Sequence, residues 1–142
     1  MEPPVRRPRS RAFDIVRELG LTLPRAKETQ YYRSPAFEVD GGVFVVQPTH
    51  SSAEPDSICV AIELQRRKQL IAENPRVFYL KPHYEPYSVV LVRLNQLDRE
   101  ASRELLRSAY EAVVSHGVKM GSRVPRRPGS LSSKKKIRRR SA

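Results

Sequence analysis

The residues with the widest chemical range in this chain are His50, His83, His116 and the single Cys59. Their spacing matches no metal or nucleophile pattern. No HExxH occurs, no Cys/His pair has zinc-ligand spacing, and no GxSxG or GxGxxG is present. Gly41-Gly42 lacks the surroundings of a phosphate loop. The sequence therefore predicts no catalytic residue, no metal site, no cofactor and no enzymatic activity. A lone cysteine cannot form an internal disulfide, and its Ile58-Cys59-Val60 setting predicts a buried, inert thiol.

The remaining chemistry is that of cations beside amphipathic rings. In the central stretch, Lys81, His83, Tyr84 and Tyr87 share one Pro-rich connector. Such a loop can face a ligand or nucleic acid, with a cation on phosphate and rings on bases. It can equally pack its tyrosines under the turn, with His83 holding the connector by a hydrogen bond. Arg66, Arg67 and Lys68 fan over a wide arc of a helix, which predicts a solvated face or a phosphate-contacting edge, and Arg93, on the strand at 88–94, is with Arg66 and Arg67 a further core candidate for nucleic-acid contact.

Charge is distributed unevenly. The chain of 142 residues has a formal net charge of +12, yet residues 12–115 sum to −1. Arg6, Arg7, Arg9 and Arg11 make the start basic. Arg126, Arg127, Lys134, Lys135, Lys136, Arg138, Arg139 and Arg140 make the end more so, and no acid occurs after residue 115. A polycation on a Ser/Gly/Pro tether releases counterions on binding phosphates, so its affinity falls steeply with salt. The twelve arm residues named here are the principal nucleic-acid-binding candidates.

These residues need a frame. Residues 1–11 and 118–142 read as basic, disordered arms around one domain at 12–117. The periodicity predicts a helix from Ser10 to Leu19 stopped by Gly20, and a polar connector from Arg25 to Arg33. A hairpin follows, Ala36–Val39 and Val43–Gln47 around Asp40-Gly41-Gly42. Then come a strand at 57–62, a helix at 63–73 and a short strand at 77–80. An interior strand at 88–94 precedes a helix capped by Asp98 and ended by Gly117. The apolar set of that helix is Ala101, Leu105, Ala109, Ala112 and Val113, with Leu106, Tyr110 and Val114 beside it. The predicted fold class is α+β: two layers, a mainly antiparallel five-stranded sheet and three helices, in the order α-β-β-β-α-β-β-α. No apolar run reaches the ~20 residues of a membrane span, and no apolar segment follows the basic start. The expected location is cytoplasmic, associated with the nucleoid in a bacterial host.

Several local patterns resemble the MmcQ/YjbR family. They are Leu19-Gly20-Leu21-Thr22-Leu23-Pro24, Pro35-Ala36-Phe37-Glu38-Val39 with Gly42-Val43-Phe44, and Glu73-Asn74-Pro75-Arg76-Val77-Phe78-Tyr79. Pro82-His83-Tyr84, Val90-Leu91-Val92-Arg93-Leu94 and Leu105-Leu106-Arg107-Ser108-Ala109-Tyr110 complete the set. The resemblance spans about residues 12–115 and departs at Val43, where many members carry Lys. It implies a double-wing DNA-binding fold without known enzymatic activity. The function expected is a non-enzymatic nucleic-acid-binding protein, with DNA as the partner and sequence-nonspecific phosphate contacts from the arms. The alternative is a protein-interaction or chaperone-like module whose tail only solubilises it or tethers an acidic partner.

Overall fold

The computed structural model describes residues 12–121. Residues 1–11 and 122–142, with all twelve arm residues expected to contact nucleic acid, lie outside the described residues; residues 118–121, expected in the C-terminal arm, are described, and Met120 among them is buried. The elements are α1 (Ala12–Gly20), β1 (Ala26–Tyr31), β2 (Ser34–Val39), β3 (Gly42–Val46), β4 (Ser57–Ala61), α2 (Leu64–Glu73), β5 (Phe78–Tyr79), β6 (Val89–Arg93) and α3 (Arg99–Val114). A 3₁₀ turn at Leu94–Gln96 joins β6 to α3. The class is α+β with three helices, as predicted, and every strand pair is antiparallel.

The sheet has six strands, not five, in the order β1-β2-β3-β4-β6-β5. The additional strand is Ala26–Tyr31, within the segment expected to be a polar connector. Its composition, AKETQY, alternates poorly because it is an edge strand, paired on one side only with β2 and largely solvated. Polar and charged side chains suit that position, since an apolar edge would invite pairing with another chain. The turn into β2 also lacked a glycine signal. Tyr32 and Arg33 both take positive φ, at 50° and 69°, where Gly or Asn is usual.

Strand alternation divides the sheet into two faces. Phe37, Val45 and Val60 are register partners across β2, β3 and β4, and Phe37 packs on Phe13 of α1 with ring centroids 6.2 Å apart. Phe44 sits at the β-bulge and meets Tyr110 of α3 edge-on at 5.7 Å. This face carries the helices. β6 is interior, buried from Val89 to Val92, as its apolar run predicted.

Two helix details differ from expectation. In α3 the buried residues are Ser102, Leu106, Ala109, Tyr110 and Ala112, while Leu105 and Val113 are only partly buried. The buried face therefore joins Ala109 and Ala112 of the expected stripe to Leu106 and Tyr110 beside it. Asp98 caps α3 as predicted, accepting from the Ala101 N–H at 2.8 Å. Gly20 ends α1, yet its φ is not positive. What it supplies is closeness, because a Cβ there would stand 2.9 Å from Phe37 Cε2.

Candidate functional site

The opposite face of the sheet is covered by loops rather than helices. Ser57, Cys59 and Ala61 of β4 are register partners of Arg93, Leu91 and Val89 of β6, and Tyr79 of β5 joins them. Over these residues lie the loop from Gln47 to Asp56 and the connector from Leu80 to Ser88. Both loops leave the sheet at one level: β3 ends at Val46, the register partner of Cys59, β5 ends at Tyr79, the partner of Leu91, and Cys59 pairs with Leu91.

One end of this face is closed. The Tyr79 hydroxyl accepts from the Glu54 N–H at 2.8 Å and lies 2.6 Å from the Ser57 hydroxyl. The Arg93 guanidinium sits 4.2 Å from the centre of the Tyr79 ring and grips Glu54 with two bonds of 2.7 and 2.6 Å. It also donates to the Pro75 and Arg76 carbonyls. Hydrogen bonds from Arg93 hold the Glu54 carboxyl below its ordinary range and raise Arg93 in turn. The ammonium of Lys81 lies 5.8 Å from the Tyr79 ring centre.

The other end is open. A cleft of about 350 Å³ is walled by Tyr31, Tyr32, His50, His83, Tyr84 and Tyr87, with Val46, Cys59, Val89 and Met120 beneath. The rings of His50 and His83 stack at 3.8 Å with 12° between their planes. Tyr84 meets both edge-on, at 6.2 and 4.9 Å. The Ser52 N–H donates to His50 Nδ1 at 3.1 Å, so that nitrogen keeps its lone pair and the neutral ring carries its proton on Nε2. Desolvation pushes the Tyr31 and Tyr84 phenols upward. It also pushes the Cys59 thiol up to about 12, so the expected inert thiol is what the fold contains. Tyr32 is 86% exposed at the rim.

The sequence candidates thus separate. His83, Tyr84 and Tyr87 come together in the cleft, while Lys81 turns toward Tyr79. Arg67 is buried and donates to the carbonyls of Tyr87, Val89 and Glu85 at 2.8, 3.0 and 3.3 Å. It is a fixture of the connector. Arg66 is exposed on α2 and donates to Gln69, on the helix side of the sheet. Arg93 is committed to Glu54. Of the four cations, Lys81 and Arg93 meet at the Tyr79 ring, while Arg66 and Arg67 belong to α2. At the hairpin tip Asp40 binds Arg25 through both oxygens, at 3.0 and 2.9 Å.

Sequence reading missed His50, Tyr31, Tyr32, Met120 and Gly121 as cleft residues. His50 and His83 are 33 positions apart and meet only through strand order. The Tyr31-Tyr32 pair was a visible signal, hidden by the reading of its segment as a connector.

No family model matches the chain, and no curated protein matches it either. Among solved structures it is similar to Deinococcus radiodurans protein DR2400, a DUF419 domain, with a TM-score of 0.58 and 22% identity. The match covers 75% of this chain and 81% of that one. The two chains share a fold. Such a likeness carries architecture and leaves chemistry to the residues of this chain. Among the described residues, no group of three or more His, Cys, Asp or Glu could hold a metal, and no helix is long and apolar enough to cross a membrane.

Proposed function

We propose that the chain is a non-enzymatic nucleic-acid-binding protein with an MmcQ/YjbR-like body, in which the basic arms supply the phosphate contacts. One observation carries this reading. Residues 12–121 hold 14 basic and 14 acidic side chains, whereas residues 122–142 hold nine basic and none acidic. Within the body, Arg17, Arg25, Lys27, Arg93 and Arg99 are all ion-paired to carboxylates. A balanced, internally paired surface gives little long-range field, and a run of unopposed cations gives a strong one.

Gly121 touches the Tyr31 hydroxyl so closely that a Cβ would fall on it. Met120 beside it is buried against the core.

The test is a salt series. Fluorescence anisotropy would follow labelled duplex DNA binding to the full chain and to a variant with Lys134, Lys135, Lys136, Arg138, Arg139 and Arg140 changed to Gln. The slope of log K against log salt should shrink by as much as ~5 in the variant. Failure of the full chain to bind at moderate salt, or an unchanged slope in the variant, overturns the reading.

A further inference from the structure

Polar side chains keep the edge strand β1 from sticking indiscriminately, yet among the described residues no strand lies on its outer side. The two edges of the sheet differ. β5 is two residues long and leaves little to pair. β1 runs for six residues in unbroken register with β2, and it contains no proline and no bulge. Of the usual devices that blunt an edge it uses only charge, at Lys27 and Glu28.

The turn decides which main-chain groups are free. Tyr31 and Ser34 flank a two-residue turn and exchange hydrogen bonds, so Thr29 with Ala36 and Lys27 with Glu38 do the same. The Pro35 carbonyl keeps this phase, since it accepts from the Gln47 N–H on the β3 side at 2.9 Å. The groups of Ala26, Glu28 and Gln30 therefore point outward. The Ala26 N–H is already given to the Leu23 carbonyl at 3.1 Å. Glu28 and Gln30, both exposed, keep an N–H and a C=O each facing away from β2.

A strand with free groups at two alternate positions matches its own antiparallel copy. A two-fold axis at Thr29 sets Glu28 against the partner's Gln30 and gives each of these groups a partner. It also sets Thr29 against the partner's Thr29 and Lys27 against the partner's Tyr31, so no like charges meet. An axis at Glu28 or at Lys27 would oppose like charges directly. An axis at Gln30 would pair only residues 29–31. One register is thus selected, and the selection works against a second copy of this chain.

We infer that the chain forms a two-fold dimer through β1, which joins two six-stranded sheets into one. Lys27 and Tyr31 share the cleft face of β1 by strand alternation. The partner's Lys27 therefore stands beside Tyr31 and brings a cation to the rim of a cleft that no Lys or Arg of its own chain lines. The Lys27 contact with Glu38, at 3.6 Å, is loose enough to allow this. Exposed Tyr32 falls opposite the partner's Ala26. A two-fold contact is closed, so assembly stops at two copies. One strand a side is a small interface, so half-association falls at roughly tens of micromolar.

Sedimentation velocity of the full chain from about 5 to 500 μM reads the association directly. The native mass should move from one chain toward two across that range. Gln30→Pro removes only an outward N–H, because its register partner Pro35 donates nothing and no bond to β2 is lost. This variant should stay a single chain throughout, with its circular dichroism unchanged. Register is tested with thiols, since Cys59 is buried and does not compete. Thr29 faces the partner's Thr29 as a non-hydrogen-bonded pair, with Cα atoms about 4.5 Å apart and within disulfide reach. Oxidation should link Thr29→Cys at least about tenfold faster than Gln30→Cys, whose opposite residue is the partner's Glu28. A native chain that stays single to the top of the range, a dimer that Gln30→Pro leaves intact, or equal cross-linking of the two cysteine variants overturns the inference.

Discussion

The Arg67 guanidinium, projecting from α2, donates to the Tyr87 carbonyl at 2.8 Å and to the Val89 carbonyl at 3.0 Å. A residue that the sequence offered as a phosphate contact is thereby the peg on which the Lys81–Ser88 connector hangs. Desolvation lowers its pKa, but a guanidinium stays charged throughout. Removing it leaves polar carbonyls without their donor. Arg67→Met should therefore cost about 2–4 kcal/mol in urea unfolding. Arg67→Lys should recover only part of that, because an ammonium cannot span the same carbonyls as a planar fork. A Met variant within ~0.5 kcal/mol of the native chain would show that the bonds are incidental.

Gly20 provides a contest between two principles. Helix propensity alone favours Ala over Gly by ~1 kcal/mol inside a helix. Packing says the reverse, since the added carbon would meet the buried Phe37 ring at 2.9 Å. Phe37 is itself wedged between Phe13 and Phe44. Overpacking of this kind typically costs about 1–3 kcal/mol. Gly20→Ala should lower the urea midpoint, and a raised midpoint would mean that the ring moves aside without strain.

These two residues show what was legible in the sequence. Elements with internal periodicity or a cap could be read: α1, α3, the β2–β3 hairpin and the interior β6. The strand β1 could not, because its stability comes from main-chain pairing with β2 and its side chains face water. Arg67 looked like part of a charged patch because its burial depends on where the connector passes, 18 to 22 residues later in the chain. The cleft combines segments around residues 31, 50, 83 and 120. Half of it, His83 to Tyr87, was visible as a ring-rich connector. The other half depended on the β4–β6 adjacency, which no local pattern encodes.

The ion pair of Glu54 with Arg93 makes a pH prediction. Arg93 lowers the Glu54 pKa from its ordinary 4.5. A carboxyl depressed in the folded state adds stability above the unfolded value and loses it as pH falls through the folded value. Asp40, bound by Arg25, and Glu18, bound by Arg99, are shifted in the same direction. Solvent screens all three, so each contribution is modest. The native chain should outlast Glu54→Gln in denaturant at neutral pH. The gap should narrow as pH drops below about 4.5. Midpoints measured across that range would check it, and a gap independent of pH would place the effect of Gln in packing instead.

Asp40 tests whether the hairpin tip is a wing that touches phosphate. Its φ of 50° is one that Asn accepts readily, so Asp40→Asn keeps the turn and removes the charge. It would also release Arg25, now held at 2.9 and 3.0 Å. A tip lying against phosphate would gain from both changes, through one less repulsion and one more available cation. Each additional phosphate contact would steepen the duplex salt slope by ~0.9. With contacts made by the arms, duplex affinity should stay within about twofold and the slope should not move. Anisotropy at three or more salt concentrations decides it. A steeper slope in the Asn variant would put the hairpin on the DNA and bring the folded body into the interface.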